Sequence, residues 1–229
     1  MTLPQLDITT EMVLANHQTN IFKPLKQPIS AMYECFLKMR EKLLEQDGIL
    51  FTLGCGGSAA DAEHIVGELL KEFKYNRPTP VNIKQEWERG KATFGLLSLC
   101  EGIRAMALTG PSSIVTAMAN DVGFTAAFAQ MVYVMACAHR PHANVLLCIS
   151  TSGNSKAVIE AARVAHLSRV FTVGLTGTAD NVLAQYTDYC IQVPGETTAE
   201  IQQNHAVIYH FMCELLEVAL IERGRAGVL

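Results

Sequence analysis

Two short stretches of this chain combine small hydroxyl residues with glycine in a way suited to holding an oxyanion. The first is TSGNS, residues 151–155, between the apolar run VLLCIS and an amphipathic segment that begins at Lys156. There the hydroxyls of Ser150, Thr151, Ser152 and Ser155 can donate to phosphate oxygens, and the free backbone N–H groups of the following helix start add positive potential. Many such turns only cap a helix, so this one gains meaning from a second of the same design. That copy is GCGGSAADAEH, residues 54–64, after the strand-like GILFTLG. Its turn comprises Cys55, Gly56, Gly57 and Ser58; the glycines let backbone approach a ligand closely, and Ser58 stands where the next helix is expected to begin. Neighbouring turns at the carboxyl end of a parallel sheet share one crevice, so the pair predicts a pocket for a small phosphorylated ligand.

Groups able to move protons lie nearby in sequence. His64 and Glu68 are four residues apart on the helix leaving the glycine turn, hence on one face, and an imidazole nitrogen with a carboxylate oxygen is a chelating pair suited to zinc. A surface contact is the commoner meaning of such a pair. The final helix carries Gln202, His205 and His210 within IQQNHAVIYH. Gln202 and His210, eight apart, project from roughly one side, and His205 is a spare candidate. A polar stripe explains each of these alone; together with a phosphate pocket they fit sugar-phosphate isomerisation, which needs a base near carbon, an acid or base near oxygen and a group that polarises the carbonyl. Glu68 and His210 suit the first two roles and a metal the third.

The elements that must position these groups alternate. After a helical pattern through SAMYECFLKMREKLLEQ come the strand ILFTLG, the helix ADAEHIVGELLKEF and the strand AMALTG. Next are helices around SSIVTAMAND and TAAFAQMVYVMACA, the strand VLLCIS, the helix KAVIEAARVAHL, the strand VFTVGLTG, a short helix NVLAQY, the strand YCIQVP and a long helix from Thr198 to about Glu222. Nearly continuous apolar strands separated by helices predict an α/β fold with a parallel sheet covered on both faces. The stretch 78–104, which holds the single Trp, fits neither a clean strand nor one clean helix and reads as a helical insertion in a single domain spanning 1–229.

Bulk properties narrow the function classes. With 229 residues, a net charge of −4 and a pI near 6.0, the chain has no basic footprint for nucleic acid. It has no apolar run of membrane-spanning length and no leader-like start, so a cytoplasmic location is expected. The seven cysteines are odd in number, dispersed and mostly in apolar surroundings, which predicts reduced core thiols.

The series GCGGSAADAEHIVGEL, AMANDVGF, LLCISTSGNSKAVIEAARVA, TVGLTG and EIQQNHAVIYHFMCELLE resembles the sugar isomerase (SIS) domain, in its phosphoheptose isomerase branch, over roughly residues 30–77 and 105–222. The resemblance implies a three-layer, flavodoxin-like fold with a five-stranded parallel sheet, assembled as a homotetramer with sites at subunit interfaces. It implies an aldose–ketose isomerase that interconverts sedoheptulose 7-phosphate and D-glycero-D-manno-heptose 7-phosphate. By the same resemblance His64, Glu68, Gln202 and His210 match zinc ligands, with Glu68 and His210 as the acid/base pair. Ser150, Thr151, Ser152 and Ser155 match the phosphate loop, and Asn120 and Asp121 a substrate-contacting pair.

The chain departs from the family pattern at Cys55, where asparagine is usual, and in the insertion of about 25 residues before the second strand. Both bear on which phosphosugar is bound. Alternative readings are an isomerase of another phosphosugar, or a non-catalytic member such as a phosphosugar sensor or a regulator that binds the replication initiator. Retention of Glu68, Gln202 and His210 favours the enzyme, and no attached helix-turn-helix is expected.

Overall fold

The strands form where apolar residues run without a break, because each is sandwiched between two helical layers. In the computed structural model, which describes residues 8–20, 23–77, 79–90 and 99–225, five strands make one wholly parallel sheet: β1 (Leu50–Gly54), β2 (Ala105–Ala107), β3 (Val145–Ser150), β4 (Phe171–Gly177) and β5 (Tyr189–Val193). Their order is β2-β1-β3-β4-β5. Leu50 stands opposite both Ala105 and Val145, Val145 opposite Phe171, and Val173 opposite Tyr189. Since β1 is flanked by β2 on one side and β3 on the other, the chain leaves the sheet in opposite directions from β1 and β3, and a crevice opens between their carboxyl ends.

Alternation along each strand divides the core in two. Leu50, Val145, Leu147, Ile149, Val173, Leu175, Ile191 and Val193 face a layer built by α1 (Thr10–Asn20), α2 (Lys26–Arg40), α3 (Gly57–Leu70) and the long terminal helix α8 (Thr198–Arg225). Phe51, Leu53, Leu146 and Cys148 face α6 (Phe124–Val132) and α7 (Lys156–Leu167), with α5 (Ser112–Asp121) packed at the margin. Both α2 and α6 end in a single π-turn, Glu41–Glu45 and Tyr133–Cys137.

The strand expected over 105–110 stops at Ala107, where the N–H of Leu108 still bonds Thr52 O at 2.9 Å before the chain turns. The expected short helix at 181–186 is a 3₁₀ turn, Leu183–Tyr186. Within the 78–104 insertion, Val81–Arg89 forms α4; residue 78 and residues 91–98 lie outside the described residues. The insertion is pinned at its base, with Glu101 N donating to Arg77 O at 2.8 Å and Ile103 N to Leu69 O at 2.9 Å. All seven cysteines are free thiols. Among the described residues no helix is long and apolar enough to cross a membrane.

Candidate active site

The glycine turn after β1 and the hydroxyl turn after β3 meet. Cys55 Sγ lies 3.5 Å from Ser155 Oγ, joining positions a hundred residues apart at the crevice. Gly56 has φ of +60° and Gly153 φ of +62°, a left-handed backbone that glycine adopts without strain. Gly56 is the N-cap of α3, so Ser58 is the second helical residue and is buried. It caps nothing, because the cap falls at Gly56, two residues before the expected serine cap. Ser155 is the N-cap of α7 but makes no side-chain cap bond, which leaves its hydroxyl facing Cys55 and the crevice.

The rest of the hydroxyl turn is braced from below. Ser150 ends β3 and is buried, its carbonyl accepting from Gly153 N at 3.0 Å, while Thr151 O accepts from Gly177 N at 3.0 Å. Ser152 is exposed, and its Oγ accepts from Asn154 N at 3.1 Å. Asn154, which sequence reasoning passed over, receives Val182 N on its Oδ1 at 3.1 Å and so ties the turn to the loop after β4.

Two helical turns along α3 lies the pair expected to move protons. His64 Nε2 is 3.0 Å from Glu68 Oε1, and the His64 and His210 rings meet edge to face with centroids 5.1 Å apart. Tyr209 Oη donates to Asp61 Oδ1 at 3.3 Å and lies 3.3 Å from His64 Nδ1. When the single tyrosine proton goes to Asp61, His64 Nδ1 must carry the hydrogen that reaches Tyr209 Oη, and Nε2 then presents its lone pair. That lone pair faces the Glu68 carboxylate oxygen, an arrangement relieved by a cation or proton shared between them. Burial, then the proximity of His64, lowers the pKa of His210, and the Glu68 and Asp61 carboxylates oppose the shift. Burial raises that of Asp61, against the opposing bond from Tyr209.

The structure brings together His64, Glu68 and His210; Gln202, the fourth expected ligand, lies against the glycine turn. Its carboxamide covers Gly57: a methyl built there would overlap Nε2 and sit 3.0 Å from Cδ. Eight residues of helix, roughly 12 Å, separate Gln202 from His210. His205 is fully buried, with its pKa lowered to about 4 by burial against an opposing contact with the Thr176 backbone. Asn120 and Asp121 are exposed in the last turn of α5, where Asn120 Nδ2 donates to Asp121 Oδ1 at 2.8 Å.

The donors suit zinc at their first pair. Ligands about 2.0–2.1 Å from a tetrahedral ion stand roughly 3.3 Å apart, close to the His64–Glu68 spacing. The Asp61–Tyr209–His64 relay is the kind of outer support that fixes a ligating imidazole. Among the described residues, no group of three or more His, Cys, Asp and Glu side chains is closed into a metal site. Asp61 and Tyr209 escaped sequence reasoning, although Asp61 lies three residues before His64 and Tyr209 seven after Gln202, both helical spacings.

Comparison with known proteins agrees with this architecture. The SIS domain family profile matches residues 124–222. A phosphoheptose isomerase of Aneurinibacillus thermoaerophilus is 36% identical over 175 residues, covering 76% of this chain and 75% of that protein. One of Geotalea daltonii is 33% identical over 210 residues, covering 92% and 95%. Among solved structures, a phosphoheptose isomerase from Neisseria gonorrhoeae superposes with a TM-score of 0.64 at 29% identity, covering 91% of this chain and 92% of that one. Another, from Francisella tularensis, gives 0.66 at 26%, covering 89% and 90%. With sequence similarity extending over most of both chains and the same parallel-sheet architecture, this protein belongs to the phosphoheptose isomerase family.

Proposed function

We propose that the chain interconverts sedoheptulose 7-phosphate and D-glycero-D-manno-heptose 7-phosphate. The observation that carries this reading is the junction of the two turns through Cys55 and Ser155 at 3.5 Å, just ahead of the helix that presents His64 and Glu68. Seven residues of helix, roughly 10 Å, separate Gly57 from His64. An extended seven-carbon sugar places C1 roughly 10 Å from its phosphorus, so its phosphate at the serine turn sets the C1–C2 end near the histidine. A triose phosphate is too short to span that distance.

In this reading Ser150, Thr151, Ser152 and Ser155, with the N-terminus of α7, hold the phosphate, and the Gln202 amide orients sugar oxygens over the glycine turn. Glu68 takes the C1 proton of the ketose and returns it to C2, through an enediolate. His210 relays a proton between O2 and O1. Zinc, held by His64 and Glu68 with His210, would polarise the C2 carbonyl and lower the cost of the enediolate charge. The Asp61–Tyr209 pair keeps His64 in the tautomer whose Nε2 is free. Gln202 reaches the substrate in this arrangement, its further part as a zinc ligand resting on resemblance alone. A cytoplasmic homotetramer is the assembly consistent with the family, and exposed Asn120 and Asp121 are available to substrate there.

Carbon-13 NMR of purified protein with sedoheptulose 7-phosphate and zinc tests the reading. It expects growth of the aldoheptose signals; an unchanged ketose spectrum would move the function to another phosphosugar or to binding alone.

A further inference from the structure

The segment that follows α3 is tied to α8 by a buried charge cluster outside the acid/base group. Glu217 is 1% exposed and lies seven residues, two turns, past His210 on the same face of α8. Its carboxylate accepts three consecutive backbone N–H groups, from Phe73 at 2.8 Å, Lys74 at 2.8 Å and Tyr75 at 3.1 Å. It is also 3.1 Å from Arg77 Nε. Arg77, likewise buried, donates from Nη1 to Leu69 O at 3.0 Å and from Nη2 to Glu68 O at 3.2 Å, closing the last turn of α3. A second carboxylate one turn earlier, Glu214, binds Lys74 Nζ at 2.7 Å and Tyr75 Oη at 2.9 Å.

A buried carboxylate is tolerated only while its partners stay in place, so residues 73–75 cannot drift without stranding the Glu217 charge. The consequence reaches the site through one side chain. The Phe73 ring stacks on His210, centroids 5.6 Å apart and planes 14° from parallel, within the range of favourable offset stacking. His64 meets the same imidazole edge to face. The His210 ring is therefore held between a histidine of α3 and an aromatic face that Glu217 places.

We propose that Phe73 is a positioning residue for His210, and that the Glu217–Arg77 pair is the anchor that fixes where Phe73 stands. The proposal rests on the isomerase reading for its kinetic consequence but not for its spectroscopic one. Phe73→Leu keeps apolar bulk and removes the aromatic face; Phe73→Tyr restores that face. With sedoheptulose 7-phosphate, Phe73→Leu is expected to lower kcat by about ten- to a hundredfold, the scale set by misplacing a reacting group by about an ångström. Its KM should stay within about threefold of wild type, because the phosphate turn lies elsewhere, and Phe73→Tyr should recover most of kcat.

Independently of turnover, the ring protons of His210 should shift downfield in the proton NMR spectrum of full-length Phe73→Leu, having lost the shielding of the stacked ring. In Glu217→Gln they should move in the same direction. Unmoved His210 resonances in Phe73→Leu, or an unchanged kcat, overturn the positioning role. Movement in Phe73→Leu but none in a folded Glu217→Gln overturns the anchor. Should Glu217→Gln fail to fold, Arg77→Lys serves in its place, with the same resonances read. A wild-type protein inactive on this sugar refutes the isomerase reading and leaves the resonance result to decide this proposal.

Discussion

Gly57→Ala separates the site from the scaffold more cleanly than removing a catalytic group. Gly57 is the first residue of α3 and its φ is not in the left-handed region, so alanine fits the backbone and should stabilise by about 0.4–1 kcal/mol through the unfolded state. The new methyl has one obstruction, the Gln202 carboxamide, whose Cδ would lie 3.0 Å and Oε1 3.2 Å away with Nε2 overlapped. Ordinary contact begins near 3.5 Å, so the amide nitrogen must retreat by more than about 1 Å, which a flexible side-chain end does at little cost. Loss of its hydrogen bond to the sugar, about 0.5–1.5 kcal/mol, together with the misplacement gives an expected fall in kcat/KM of about ten- to a hundredfold. Thermal melting and steady-state kinetics are measured on Gly57→Ala, Gln202→Ala and the double variant. The account expects an unchanged or raised Tm and a double variant no slower than Gln202→Ala, since both changes act on one side chain. Activity within threefold of wild type, or losses that multiply in the double variant, would refute the reasoning.

Three further outcomes follow from the same geometry. Tyr209→Phe removes the hydroxyl between Asp61 and His64 and should weaken zinc binding by about ten- to a hundredfold, read by chelator competition; unchanged affinity would mean the relay does not set the His64 tautomer. Ser155→Ala deletes a donor to a charged phosphate, worth about 1.5–3 kcal/mol, and should raise KM by at least tenfold with kcat little changed, whereas an unaltered KM would move the phosphate elsewhere. Burial opposes the charge of Glu214, but bonds from His17, Lys74 and Tyr75 outweigh it and hold its pKa down to about 2. A depressed carboxyl stabilises the fold above its unfolded value near 4.5 and loses that contribution as pH falls toward 2. Denaturant melts should therefore lose roughly 2 kcal/mol over that interval, a loss absent in Glu214→Gln.

The sheet was legible because its strands are buried on both faces and read as unbroken apolar runs, and the two turns because glycine and hydroxyls cluster where strand gives way to helix. The first helix was not: TEMVLANHQTN has no apolar stripe, and α1 is held by remote partners. Thr10 N donates to Glu222 at 3.2 Å, His17 pairs with Glu214 at 3.0 Å, and the His17 ring packs on Phe211. Asp61, Tyr209 and Phe73 matter through contacts between elements; the spacing of Asp61 and Tyr209 offered a hint, and for Phe73, beyond the end of α3, there was none.

Glu68 is the group on which the isomerase account turns, and Glu68→Gln keeps its shape while removing its basicity. Conversion of sedoheptulose 7-phosphate should be followed by NMR for wild type and Glu68→Gln, both folded by circular dichroism and supplied with zinc. The account predicts aldoheptose phosphate from the wild type and a loss of about 10²–10⁴-fold in the variant. A wild type that leaves the ketose untouched, or a variant within tenfold of it, would contradict the account.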